Sequence, residues 1–171
     1  MRVAGGAGLG AKYLAREDAQ TVGMIGSGGM ARTYMHAFCA VRDIKHLKVY
    51  SRNSENRETY AQDMRDQLGI EGETVDSPEK AARNVDILST CTTSSVPTID
   101  PAWLEPGMHV ANLGPWEISP ECMKRFDVAI RQGVAGSPLP AEMSDRVMAG
   151  VGMSPMAYIG GTREEMKRLP P

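Results

Sequence analysis

The chain has 171 residues, of which 42% are hydrophobic and 23% charged, with a formal net charge of −2. That is the composition of a globular domain with a tail, not of a disordered chain. It offers no basic excess for nucleic acid, no run of about 18 apolar residues to span a membrane, and no apolar signal-peptide core at its start.

Leu9 to Arg16 has helical composition, weakened by Gly5, Gly6, Gly8 and Gly10. Glycines there suit a helix packed closely against another backbone. Thr21–Ile25 is a short apolar strand, after which Ala31, Met35, Phe38 and Val41 recur at helical spacing. His46–Ser51 alternates as a second strand. Ser54 reads as the cap of a helix with Tyr60, Ala61, Met64 and Leu68 on one face, closed by Gly69. Ser77 and Pro78 read as N-cap and first residue of a helix of one or two turns. Residues 85–92 and 109–114 read as strands, 119–125 as a short helix capped by Ser119, and 127–130 as a last short strand. Strands alternating with helices predict βαβ units. The expected fold class is α/β, a Rossmann-type doubly wound parallel sheet in three layers. Residues 1–20 lead in as a helix, 21–133 form that fold, and 134–171 form an irregular C-terminal extension with one helix near 141–149.

The first strand runs into Gly26-Ser27-Gly28-Gly29-Met30-Ala31 and then into a helix. A dinucleotide site needs each part of that arrangement. Gly26 allows the tight turn, Gly28 lets the main chain approach a pyrophosphate, and Ala31 lets the helix lie close to the sheet. The helix N-terminus then turns free N–H groups and its positive dipole end to the phosphates. The bland alternative is a tight turn with no ligand. About 20–25 residues past the turn, an NAD site places an acid on the ribose 2′-hydroxyl. Here the second strand ends in Ser51-Arg52-Asn53, with no acid. Hydroxyl, guanidinium and amide suit a 2′-phosphate, so the residues favour NADP, with NAD the alternative. The missing acid also counts against S-adenosylmethionine. Cys91, Thr92 and Thr93 close one strand at its carboxyl end, and Leu113 and Gly114 close the next. Ligands of open α/β sheets sit at such ends, so these five join the cofactor-binding candidates.

With these segments in order, the sequence resembles the ornithine cyclodeaminase/mu-crystallin family. "MRVAGGAGLGAKYLARED", "VGMIGSGGMA", "VYSRNSENRETYA", "VDILSTCTTSSVPTID" and "WLEPGMHVANLG" are similar to successive segments of its nucleotide domain, over about residues 2 to 125. The resemblance implies hydride transfer to or from an amino or imino acid. It leaves two alternatives: a cyclodeaminase that recycles NAD internally and releases ammonia, and a non-catalytic NADPH-binding protein. It also implies a further segment before Arg2, bearing a lysine, that forms the homodimer and most of the substrate pocket. On that expectation the chain is a fragment that binds cofactor and turns over little alone.

Two positions bear on the chemistry through the resemblance. Arg2 stands where the family has an arginine for the substrate carboxylate. Pro115 stands where many members place a proton-transferring aspartate, which sets the ornithine-type mechanism in doubt. Glu117, two residues on, is the candidate replacement, and the competing reading is a surface loop acid. Cys39, Cys91 and Cys122 are odd in number and widely spaced, which suits a reducing, cytoplasmic setting and gives no zinc pair. His36, His46 and His109 are scattered, and His109 opens its strand at the end away from catalysis. No metal cluster is expected.

Overall fold

The computed structural model describes residues 2–114, 116–131 and 156–158. The chain divides into two compact units, Met1–Ser119 and Pro120–Pro171. In chain order the first unit runs α1 (Arg2–Leu14), β1 (Thr21–Ile25), α2 (Gly29–Cys39), β2 (His46–Tyr50), α3 (Ser54–Leu68), β3 (Glu71–Thr74), α4 (Pro78–Ala82), β4 (Ile87–Thr90), a 3-10 turn (Pro101–Trp103) and β5 (His109–Asn112). Its five strands pair in parallel in the order β3-β2-β1-β4-β5. Strand order reverses between β1 and β4, which makes this the expected doubly wound Rossmann sheet with its switch point there.

Alternation along β1 builds the layers. Val22 and Met24 enter the main core with Tyr34, Met35 and Phe38 of α2. Gly23 between them faces α4, where a Cβ would stand 2.0 Å from the Ala81 carbonyl oxygen. So α1, α2 and α3 cover one face and the short α4 the other, packed on β1 and β2. Of the glycines of α1, Gly8 does what their placing suggested, while a Cβ on Gly5 would meet nothing within 4 Å. Ala4, Ala11 and Ala15 are buried, and a Cβ on Gly8 would come within 3.1 Å of the Ala37 Cβ. Small residues thus let two helices approach closely. The helix begins well before Leu9, because that contact stabilises its glycine-rich first turns.

Two details differ from the sequence expectation. The N-cap of α3 is Asn53, whose side-chain oxygen accepts from Asn56 N–H at 2.9 Å, and Ser54 is the first helical residue. Both are good capping residues, and the backbone of Asn53 is the extended one that a cap requires. The strand β3 carries no apolar run. As a sheet edge it is held by its backbone against β2, with Glu71 and Glu73 exposed. Its apolar contribution comes from the flanking Ile70 and Val75, both buried.

The second unit contains α5 (Pro120–Met123), β6 (Ala129–Arg131) and β7 (Met156–Tyr158). The last strand expected from sequence is β6, but it pairs antiparallel with β7 in a separate two-stranded sheet. Its β-forming residues gave no sign of which partner would complete it. The helix expected near 141–149 lies outside the described residues, as does most of the 134–171 extension. No helix among the described residues is long and apolar enough to cross a membrane.

Candidate functional site

The carboxyl ends of β1, β2, β4 and β5 meet at one edge of the sheet, and the predicted cofactor residues stand on it. Gly26 leaves β1 with φ +111°, a conformation side chains rarely tolerate. It also seats directly on β4's end: a Cβ there would lie 2.2 Å from the Cys91 carbonyl oxygen. Gly26 N–H donates to the Tyr50 carbonyl at 2.8 Å, and Cys91 N–H to the Ile25 carbonyl at 2.8 Å. The turn is therefore anchored to both neighbouring strands.

Beyond the turn, Gly28 is the N-cap of α2 and supplies no side-chain capping bond, and the first helical turn carries no acid. A Cβ on Gly28 or Gly29 would meet nothing within 4 Å. The helix thus presents uncapped N–H groups, beside Met30, to open space, which fits a phosphate. Ala31 is fully buried, and the Tyr60 hydroxyl donates to its carbonyl at 3.0 Å, which draws α3 onto α2.

At the end of β2, Ser27 Oγ donates to Ser51 Oγ at 3.0 Å, joining the glycine turn to the proposed ribose site. Ser51 Oγ in turn donates to the Asn53 carbonyl. Arg52 is exposed, while the side-chain oxygen of Asn53 is committed to the α3 cap. Arg57 was not foreseen. Its Nη1 donates to the Ser51 carbonyl at 2.9 Å, its guanidinium lies 6.0 Å from the Tyr50 ring centroid, and its buried Nε has no hydrogen-bond partner. An arginine in the first turn after a cap, set beside a strand end lacking acid, is the signal that could have found it.

Cys91 is buried, and that burial pushes its thiol up to about 12, with the charge of Glu117 adding to the rise against a lowering contact from Ser89. It is a protonated, packed thiol, not a nucleophile at neutral pH. Thr92 is half-buried, its hydroxyl accepting from Ser94 N–H, and Thr93 is exposed. Leu113 and Gly114 are half-buried at the end of β5.

Glu117 corrects the surface-acid reading, being 0% exposed. Its Oε1 accepts from Thr92 N–H at 2.6 Å. Its Oε2 accepts from the Thr90 hydroxyl at 3.0 Å, Leu113 N–H at 3.1 Å and Gly114 N–H at 2.5 Å. No local pattern in "PWEIS" distinguishes such a residue from a loop acid. The expected Arg2 side chain and Pro115 lie outside the described residues. Among the described residues no group of three or more His, Cys, Asp or Glu could hold a metal.

A family model described as the ornithine cyclodeaminase/mu-crystallin family matches residues 1–133. The chain belongs to that family. Among its relatives in it, a Delta(1)-pyrroline-2-carboxylate reductase of Bacillus cereus is 35% identical over 107 residues, 63% of this chain and 33% of that protein. The solved Delta(1)-pyrroline-2-carboxylate reductase of Thermococcus litoralis, in complex with NADH and L-proline, is 35% identical with a TM-score of 0.72, over 74% of this chain and 41% of that one. An archaeal alanine dehydrogenase with bound NAD is 26% identical with a TM-score of 0.61, over 86% of this chain and 40% of that one. The chain spans about a third to a half of the length of the relatives it matches by sequence.

Proposed function

We propose that this chain is the cofactor-binding part of an NADP-dependent oxidoreductase that acts on an imino acid or the corresponding amino acid. The observation that carries the reading is the open cradle at Gly28 and Gly29, backed by the uncapped start of α2 and set against the β1–β4 switch point. The family relatives that reduce a cyclic imino acid support the substrate class. The bound nicotinamide would supply the hydride. In this chain the Gly26 turn and the first N–H groups of α2 hold the pyrophosphate. Ser51 and Arg52 receive the adenosine ribose and its 2′-phosphate. The ends of β4 and β5 border the nicotinamide half, where Thr92, Thr93, Leu113 and Gly114 shape the floor. The complexes named for the relatives hold NADH or NAD, so the preference for a 2′-phosphate rests on Ser51, Arg52 and the absence of an acid at that strand end.

Titration calorimetry with NADPH and NADH tests the reading. NADPH is expected to bind at least about tenfold more tightly, the value of one good charge-assisted contact. Equal or tighter binding of NADH would overturn the NADP preference. Binding of neither would overturn the dinucleotide reading altogether.

A further inference from the structure

A fully buried carboxylate is costly unless its charge is shared. At Glu117 it is shared among neutral donors that belong to different stretches of the chain. Thr90 and Thr92 end β4, while Leu113 and Gly114 end β5. The backbone of Glu117 adds a third stretch, since Thr98 donates to its carbonyl through N–H at 2.9 Å and through its hydroxyl at 3.3 Å. Thr92 directly follows Cys91, the residue on whose carbonyl Gly26 is seated. One carboxylate therefore ties the ends of β4 and β5 together, one residue away from the phosphate turn on β1. Gly114 leaves room for it: a Cβ there would come within 3.1 Å of the Glu117 side chain. An apolar side chain could fill the same volume, but it could not fix three backbone N–H groups in position. Both carboxylate oxygens are engaged by these donors, so the group acts on the loops and not on a substrate proton.

The geometry points to Glu117 as a positioning residue for the nicotinamide half of the cofactor site, holding the β4 and β5 ends at the spacing that half requires. This rests on the dinucleotide reading above. In that fold the second set of strands, here β4 and β5, borders the second mononucleotide. The adenosine half, on β1 and β2, owes nothing to Glu117.

Two ligands separate the halves: NADPH, and 2′-phospho-ADP-ribose, which lacks the nicotinamide. Both are titrated against the whole 171-residue chain and against Glu117→Gln. The amide keeps one acceptor but turns an NH2 toward an N–H on one of the two strand ends, leaving that donor unpaired. Glu117→Gln is expected to bind NADPH about tenfold more weakly, as follows from one unpaired buried donor. Its affinity for the fragment should stay within about twofold of the original. Equal loss for both ligands would mark general damage and overturn the assignment, and so would no loss for either. If the unsubstituted chain binds neither ligand, the dinucleotide reading fails first. Should Glu117→Gln not fold, Thr90→Val removes only one hydroxyl donor. It should show the same selective loss at smaller size, and a loss common to both ligands, or none, overturns the inference.

Discussion

Gly26 and Gly28 stand two residues apart in one turn, yet they are glycine for different reasons. Gly26 has a positive φ and a backbone oxygen 2.2 Å from where a Cβ would sit. Gly28 has φ −81° in extended backbone and open space around it. The first is required by the fold and the second only by a ligand. Gly26→Ala should therefore cost about 3 kcal/mol or more of stability, from strain and overlap together. Gly28→Ala should lose no more than about 1 kcal/mol, the penalty of alanine at an N-cap, yet bind NADPH at least about tenfold more weakly, because its methyl group fills the approach to the pyrophosphate. Paired thermal melts and calorimetry check both. Undiminished NADPH binding by Gly28→Ala would remove the phosphate from this turn. The difference between the two was half legible beforehand. Spacing named both glycines, but only the seat on Cys91 shows which one the chain needs to fold.

Among the elements, α1 is held at its end by a residue outside itself. Arg42, just past α2, donates through Nη2 to the carbonyls of Lys12 and Ala15 at 2.7 and 2.8 Å, and through Nε to that of Arg16 at 2.8 Å. These are carbonyls at and just past the helix end, where orphan acceptors and the negative dipole end favour a cation. Arg42→Met keeps the apolar stem and removes the donors. It should lower stability by about 1–3 kcal/mol. Urea unfolding should show this as a lower midpoint with an unchanged slope. An unaltered midpoint would mean that water serves those carbonyls equally well. Most elements were readable from sequence for the same local reasons that form them. Ser77 and Pro78 open α4, and Gly69 closes α3 in a left-handed conformation. The strand β3 was not readable, because an edge strand with exposed glutamates has no period to detect. Nor was Arg42, whose partners lie on another helix.

For the molecule as a whole, the pH dependence of stability carries a marker at His109. The imidazole is held from its ordinary 6.5 down to about 4, first by burial and then by the charge of Arg42. Its buried Nε2 has no hydrogen-bond partner. Between those two values the unfolded chain binds a proton that the folded chain does not, so stability rises with pH across the window from about 4 to 6.5. Acidification through that window therefore destabilises the fold. His109→Gln should flatten this part of the profile relative to the original chain. Urea unfolding of both proteins at pH 7, 6, 5 and 4.5 checks it. Parallel profiles would show that His109 titrates equally in both states. Asp76, whose carboxyl is held low chiefly by its hydrogen bond from Lys80, is present in both proteins and cancels in the comparison.

What the sequence alone determined is what neighbours along the chain decide. A glycine turn between an apolar strand and a helix, the Ser77 cap of α4, and a second strand ending without an acid all follow from local backbone limits and short-period hydrophobicity. From these came the Rossmann fold, and the expectations of a nucleotide turn and of a 2′-phosphate. Only the tertiary structure decided that β6 leaves the parallel sheet, that Arg42 closes α1, and that Glu117 lies buried between two strand ends. Glu117 and Thr92 are 25 positions apart in sequence. Their hydrogen bond exists because β4 and β5 pair side by side, and strand adjacency is set by packing the whole sheet, not by any short stretch of residues.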